Sequence, residues 1–120
     1  MSLNELRDKA YKIADEHGFH ENNDFVRTLM LIVSELSEAM EADRKGKWRN
    51  GRVVYYGENP QDITNKVYDE QIKGTVEEEI ADAIIRLLDL ASIWNIDLDW
   101  HVTAKMAYNE KREYKHGKKY

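Results

Sequence analysis

The amino-acid sequence predicts an all-α protein, a four-helix-type bundle with a long, partly irregular insert between its second and third main helices. Three observations predict it. Four stretches carry apolar residues at three- and four-residue spacing. Helix-start signals precede them at Ser2, at 21–24, at Thr75 and at Asp97. The 120 residues include one proline, Pro60, and it falls in the stretch where the helical period is lost. A chain of that length supports one domain with a real core, so residues 1–120 are expected to form a single domain.

Ser2-Leu3-Asn4-Glu5 has the form of a capping box, and Leu3, Leu6, Ala10, Ile13 and Ala14 keep helical spacing, which predicts a first helix from about Leu3 to Glu16. Gly18 fits its stop. His17 and His20 follow with no carboxylate or cysteine at metal-site spacing, and are read as solvated. The polar run 21–24 caps a second helix, about Phe25 to Arg44, whose arc of Phe25, Leu29, Ile32, Val33, Leu36 and Met40 is expected to face the core. Glu35 and Glu38 fall beside that arc, on the flank shared with Leu31 and Ala42, where a cleft would form. Glu41, Asp43, Arg44 and Lys45 read as wet surface.

Over residues 46–75 the helical period disappears. Asn50-Gly51 beside Val53, Val54, Tyr55 and Tyr56 predicts a small hairpin over 48–56, and residues 62–72 predict a short helix ended at Lys73-Gly74. Trp48, Tyr55 and Tyr56 could stack on a base or cover the bundle or a subunit contact. Thr75-Val76-Glu77-Glu78 is a second capping box, opening a helix with the stripe Val76, Ile80, Ile84, Leu87, Leu88, Ala91 and Trp94. Glu79 and Asp82 sit off that stripe, with Arg86 spaced to pair with Asp82. Asp97 caps a last helix over 98–114, with Leu98, Val102 and Met106 as core contacts. Lys105, Asn109 and Arg112 recur along it as donors suited to phosphate oxygens, and the tail beyond 114 reads as a frayed end.

Composition narrows the function classes. Without cysteine there is no disulfide framework and no thiolate zinc or iron–sulfur chemistry, which makes a cytoplasmic setting the simplest expectation. No run is apolar and uncharged enough for a membrane or signal segment. A net charge of −5 argues against general nucleic-acid binding. What remains are two acidic pairs, Glu35-x-x-Glu38 and Glu79-x-x-Asp82, each three residues apart on its helix and so stacked on one side. Four carboxylates facing a common space repel one another unless a cation neutralises them, and hard divalent ions prefer such oxygen ligands.

These two pairs, in the settings 32–39 and 78–84, together with Lys105, Asn109 and Arg112 on the closing helix, resemble the MazG-like, all-α nucleoside triphosphate pyrophosphohydrolases. The resemblance implies that Glu35, Glu38, Glu79 and Asp82 bind one or two Mg²⁺, with Mn²⁺ as a substitute, and that Lys105, Asn109 and Arg112 hold the polyphosphate. It implies cleavage between the α and β phosphates with Glu38 as base, and assembly as a homodimer or homotetramer. Residues 39–78 between the two pairs are a longer gap than compact members have, so 46–75 is an insertion and substrate choice does not carry over. Two rivals stand beside this reading. A di-iron carboxylate bundle needs Glu-x-x-His from two helices, and only Glu113 with His116 has that form. A non-catalytic helical oligomerisation or regulatory module would use the acids only for solvation, at the cost of any that are buried.

Overall fold

A computed structural model describes residues 1–21, 24–49 and 59–112. Among them the fold is all-α: α1 (Leu3–Glu16), α2 (Phe25–Arg44), α3 (Asn65–Gln71), α4 (Val76–Ile93) and α5 (Leu98–Glu110), with one 3₁₀ turn at Pro60–Asp62. No helix among these residues is long and apolar enough to cross a membrane. The chain divides into two compact units, residues 1–21 with 88–120, and residues 22–87.

In the first unit, Ser2 and Glu5 close the expected capping box, the Glu5 backbone N–H donating to Ser2 Oγ and the Ser2 N–H to Glu5. The remaining N-terminal donors of α1 are met from far along the chain. Leu3 and Asn4 N–H groups donate to the two oxygens of Asp99 at 2.9 and 3.2 Å. In return the Asn4 side chain donates to Asp97 at 2.9 Å and accepts from the Leu98 N–H at 2.9 Å. Two helix N-termini thus satisfy each other's orphan donors, which a single cap on either would leave partly open. Arg7 adds a bond to the Ile96 carbonyl at 2.7 Å. Among the described residues of this unit, Ala10, Leu88, Leu90 and Ala91 are buried.

In the second unit, Asp24 caps α2 by accepting from Val26 and Arg27. Gly46, at φ +69°, closes it in a left-handed turn where Gly46 N–H reaches Asp43 and Lys47 N–H reaches Ala42. The expected single helix over 62–72 is instead a 3₁₀ turn followed by α3, because Thr64 breaks the run and caps Val67 itself. The hairpin expected over 48–56 lies almost wholly outside the described residues, as do Tyr55 and Tyr56, whereas α5, expected to run to 114, ends at Glu110, where the Lys111 N–H closes the cap on Tyr108 and Asn109. Trp48, which is described, donates its indole N–H to Asp43 at 2.8 Å. Thr75 caps α4 as expected, but Glu78 reaches the Gly74 N–H, one residue before the position a capping box predicts.

The faces turned inward differ from the expectation. On α2, Ile32, Glu35 and Ala42 are buried and Thr28, Leu31 and Ala39 half-buried, a series at helical spacing that follows the flank, while Leu29, Val33, Leu36 and Met40 of the apolar arc are exposed. On α4, Val76, Leu88 and Ala91 of the expected stripe are buried, but so is Ala83 off it, with Glu79 and Asp82 half-buried, while Ile80, Ile84 and Leu87 of the stripe are exposed. On α5, Leu98 is half-buried, but Val102 and Met106, expected in the core, are exposed. In the second unit the acid-bearing sides of α2 and α4 are thus the more covered ones, and several of the larger apolar side chains stay on the surface.

Candidate metal centre

The second unit brings the two acidic pairs together. α2 carries Glu35 on its inward face and Glu38 one turn on, where the residue is exposed; α4 carries Glu79 and Asp82 on the facing side. Carboxylate oxygens of Glu35, Glu79 and Asp82 lie within 4.8 Å of one another, close enough for one cation to take all three. Glu38 stands outside that triad but beside it, since its carboxylate presses on Glu79. Of the four expected ligands, three converge and the fourth borders them.

The electrostatics of the cluster follow from its composition. Burial, then the neighbouring carboxylates of Glu38 and Glu35, push Glu79 up to about 7. Its Oε2 is buried and has no hydrogen-bond partner among the described residues. Asp82 is also raised, by burial first, then by Glu35 and Glu78, with Arg86 pulling in the opposite direction. Without a cation, then, the cluster resists full ionisation at neutral pH. An orphaned buried carboxylate oxygen among an all-oxygen donor set fits a hard divalent ion.

Three neighbours of the cluster were not legible, or were misplaced, in the sequence. Arg86 pairs with Glu35, its Nε donating to Oε1 at 2.8 Å, rather than with Asp82 as its spacing predicted. Local spacing favours Asp82, but a partner on another helix cannot be read from one helix. Glu78, adjacent to the triad, is held by two donors, the Gly74 N–H at 2.9 Å and the Tyr68 hydroxyl. That hydroxyl is held above the ordinary tyrosine range by burial and by the Glu78 charge. The insert therefore contributes directly, through α3, to the end of α4 on which the acids sit.

Lys105 and Asn109 lie on α5 and Arg112 just beyond its C-cap Lys111, all in the first unit, and they come together there. Arg112 donates to the Asn109 side chain at 3.2 Å, and Lys105 and Arg112 both lie over the Tyr108 ring, at 4.9 and 5.3 Å from its centre. The first unit also pairs His20, which the sequence reads as solvated. Its side chain is only 8% exposed, stacks on Tyr11 with ring centres 4.4 Å apart, and bonds Asp89 through Nε2 at 2.8 Å and Asp15 through Nδ1 at 3.2 Å. Asp89 is 69 residues distant, so no local pattern announces it.

Compared with protein-family models, curated proteins and solved structures, the chain matches none of them.

Proposed function

We propose that the chain hydrolyses nucleoside triphosphates between the α and β phosphates, with Mg²⁺ or Mn²⁺, as in the MazG-like pyrophosphohydrolases that its acidic pairs resemble. The convergence of Glu35, Glu79 and Asp82 from two helices within 4.8 Å carries this reading. These three residues hold the cation through carboxylate oxygens. When bound, the cation neutralises triphosphate charge and acidifies the attacking water. Glu38, exposed beside the triad, accepts the proton of that water as its oxygen bonds to the α-phosphorus. The bond from that phosphorus to the bridging oxygen breaks, and pyrophosphate leaves with the electron pair. Lys105, Asn109 and Arg112 are proposed as phosphate donors on their chemistry and mutual proximity.

One assay tests the proposal: purified protein, Mg²⁺ and each ordinary or modified NTP and dNTP, with monophosphate and pyrophosphate followed. Glu38→Gln and Asp82→Asn are expected to lower kcat by at least about 100-fold, the scale of general-base and metal-ligand losses. No turnover of any nucleotide, or turnover indifferent to both variants, would sink the enzyme reading. Lys105→Ala is expected to weaken nucleotide binding more than Mg²⁺ binding, and the reverse would remove Lys105 from the site.

The exposed apolar side chains of α2 and α4 support assembly with a second copy, as a homodimer or homotetramer, and are equally what the rival non-catalytic helical module would show. Sedimentation at micromolar concentration tests assembly without separating the two readings: a monomer throughout would leave those faces without an explanation by self-association. Turnover in the nucleotide assay then decides between enzyme and module.

A further inference from the structure

We propose that Arg86 contacts the phosphate of the ligand held at the acidic triad, its terminal guanidinium nitrogens reaching a phosphoryl oxygen while Nε keeps Glu35 in place. This rests on the reading of the triad as a cation site for a phosphate-bearing substrate, and adds a residue to it. Glu79, Asp82 and Arg86 occupy positions i, i+3 and i+7 of α4, so the guanidinium extends the acidic row along the same face, its Cα about 6 Å beyond that of Asp82.

Two observations separate Arg86 from an ordinary structural ion pair. The bond to Glu35 uses Nε, the inner nitrogen, at 2.8 Å. The two partners also differ in exposure, 43% of the Arg86 side chain against 11% of Glu35. The buried end of the pair is thus the carboxylate, and the guanidinium leads from it to solvent. A guanidinium carries five N–H donors in a planar fork, so one can orient Glu35 while the others present themselves to an anion. Glu35 has a second oxygen for the cation, so pairing with Arg86 and ligation are compatible. A phosphate oxygen bridging to the cation would then find positive charge on both sides, and phosphate is the ligand chemistry that fork and cation share.

The rival role is that Arg86 only orients Glu35, and the two roles differ in sign. Removing a positive charge beside a cation site leaves Mg²⁺ affinity unchanged or raises it, by up to about 10-fold, whereas losing an orienting contact lowers it. The experiment titrates wild type, Arg86→Gln and Arg86→Lys by calorimetry, first with Mg²⁺ alone and then with inorganic triphosphate in fixed excess Mg²⁺, with circular dichroism to verify folding. For Arg86→Gln the expected result is Mg²⁺ affinity equal to or above wild type and triphosphate affinity lowered about 10- to 100-fold, the scale of one or two charged hydrogen bonds. Arg86→Lys keeps a charge against buried Glu35 and serves where the Gln variant does not fold. Its single ammonium cannot serve carboxylate and phosphate as a fork does, so triphosphate binds about 3- to 10-fold more weakly with Mg²⁺ affinity retained. Wild-type triphosphate affinity in the folded variants, or Mg²⁺ affinity that falls in step with it, overturns the assignment while leaving the triad intact. A wild-type protein that binds neither Mg²⁺ nor triphosphate overturns the triad reading, and this one with it.

Discussion

His20 shows how far a single residue can depart from its sequence context. Burial, the largest single effect, pulls its pKa down, but Asp89 and Asp15 together outweigh it and the imidazolium is held above its ordinary 6.5. A base whose folded pKa is raised contributes stability that is fully present below about 6.5 and is lost as pH rises through the folded value. Chemical denaturation of wild type and His20→Gln at pH 5.5 and pH 8.5 checks this, and the gap between them is expected to be wider at the lower pH. A gap independent of pH would assign the residue a packing role through Tyr11 alone. Nothing within five residues of His20 except Asp15 hints at the arrangement, because its closer partner comes from α4. The acidic pairs were legible for the opposite reason: each lies within one helical turn, so its geometry follows from helix periodicity.

At the level of elements, boundaries were the most legible feature and inward faces the least. α1 and α2 begin and end where cap and stop residues place them, since capping is a local matter of backbone donors and acceptors. α4 ends in a left-handed turn like α1 and α2, but with Asn95 at φ 52° in place of glycine, its N–H reaching Ser92 and the Ile96 N–H reaching Ala91 at 2.7 Å. Asn95→Gly is expected to leave stability unchanged or slightly raised, and Asn95→Val to lower it by about 1–2 kcal/mol, read as urea midpoints at constant slope. An Asn95→Val midpoint equal to wild type would contradict the cost of a β-branched side chain at that left-handed position. The inward faces were read only in part, Ile32, Val76, Leu88 and Ala91 being buried as expected, because an apolar stripe announces that it will be covered without saying by what. On α2 and α4 the smaller, acid-bearing sides turn inward, and Val33, Leu36, Ile80 and Ile84 do not.

Across the whole chain, the charge of the acidic cluster ties stability to pH. Glu79, raised to about 7 from an ordinary 4.5, stabilises the cation-free fold in its protonated form. That contribution is fully present below about 4.5 and lost as pH rises to about 7 and beyond, the same direction as for His20. Glu79→Gln removes the Glu79 part and leaves the His20 part, which separates them. A divalent ion competes with the proton for the same oxygens, so Mg²⁺ stabilises more at pH 8 than at pH 5. At about 100 times its Kd it adds about 2.7 kcal/mol, visible as a rise in Tm. A Tm that Mg²⁺ does not move at pH 8 would count against the cation site. The all-α class was legible in full, and so were the acidic residues of the triad. The pairing of Arg86 with Glu35 was not, because it depends on which side chains of separate helices meet in space.

The mutual capping of α1 and α5 also sets an order of events during synthesis. The unit bearing the acidic triad is one unbroken segment, residues 22–87, and every residue of it has left the peptidyl-transferase centre before Leu88 is added. The other unit is split between the two ends of the chain. Leu3 and Asn4 find Asp99 only across 96 and 95 residues, so α1 is made before the other helices described and is among the last of them to receive its partners. Until residues 97–99 emerge from the ribosome, the N-terminal donors of α1 that Asp99 satisfies have only water to bond.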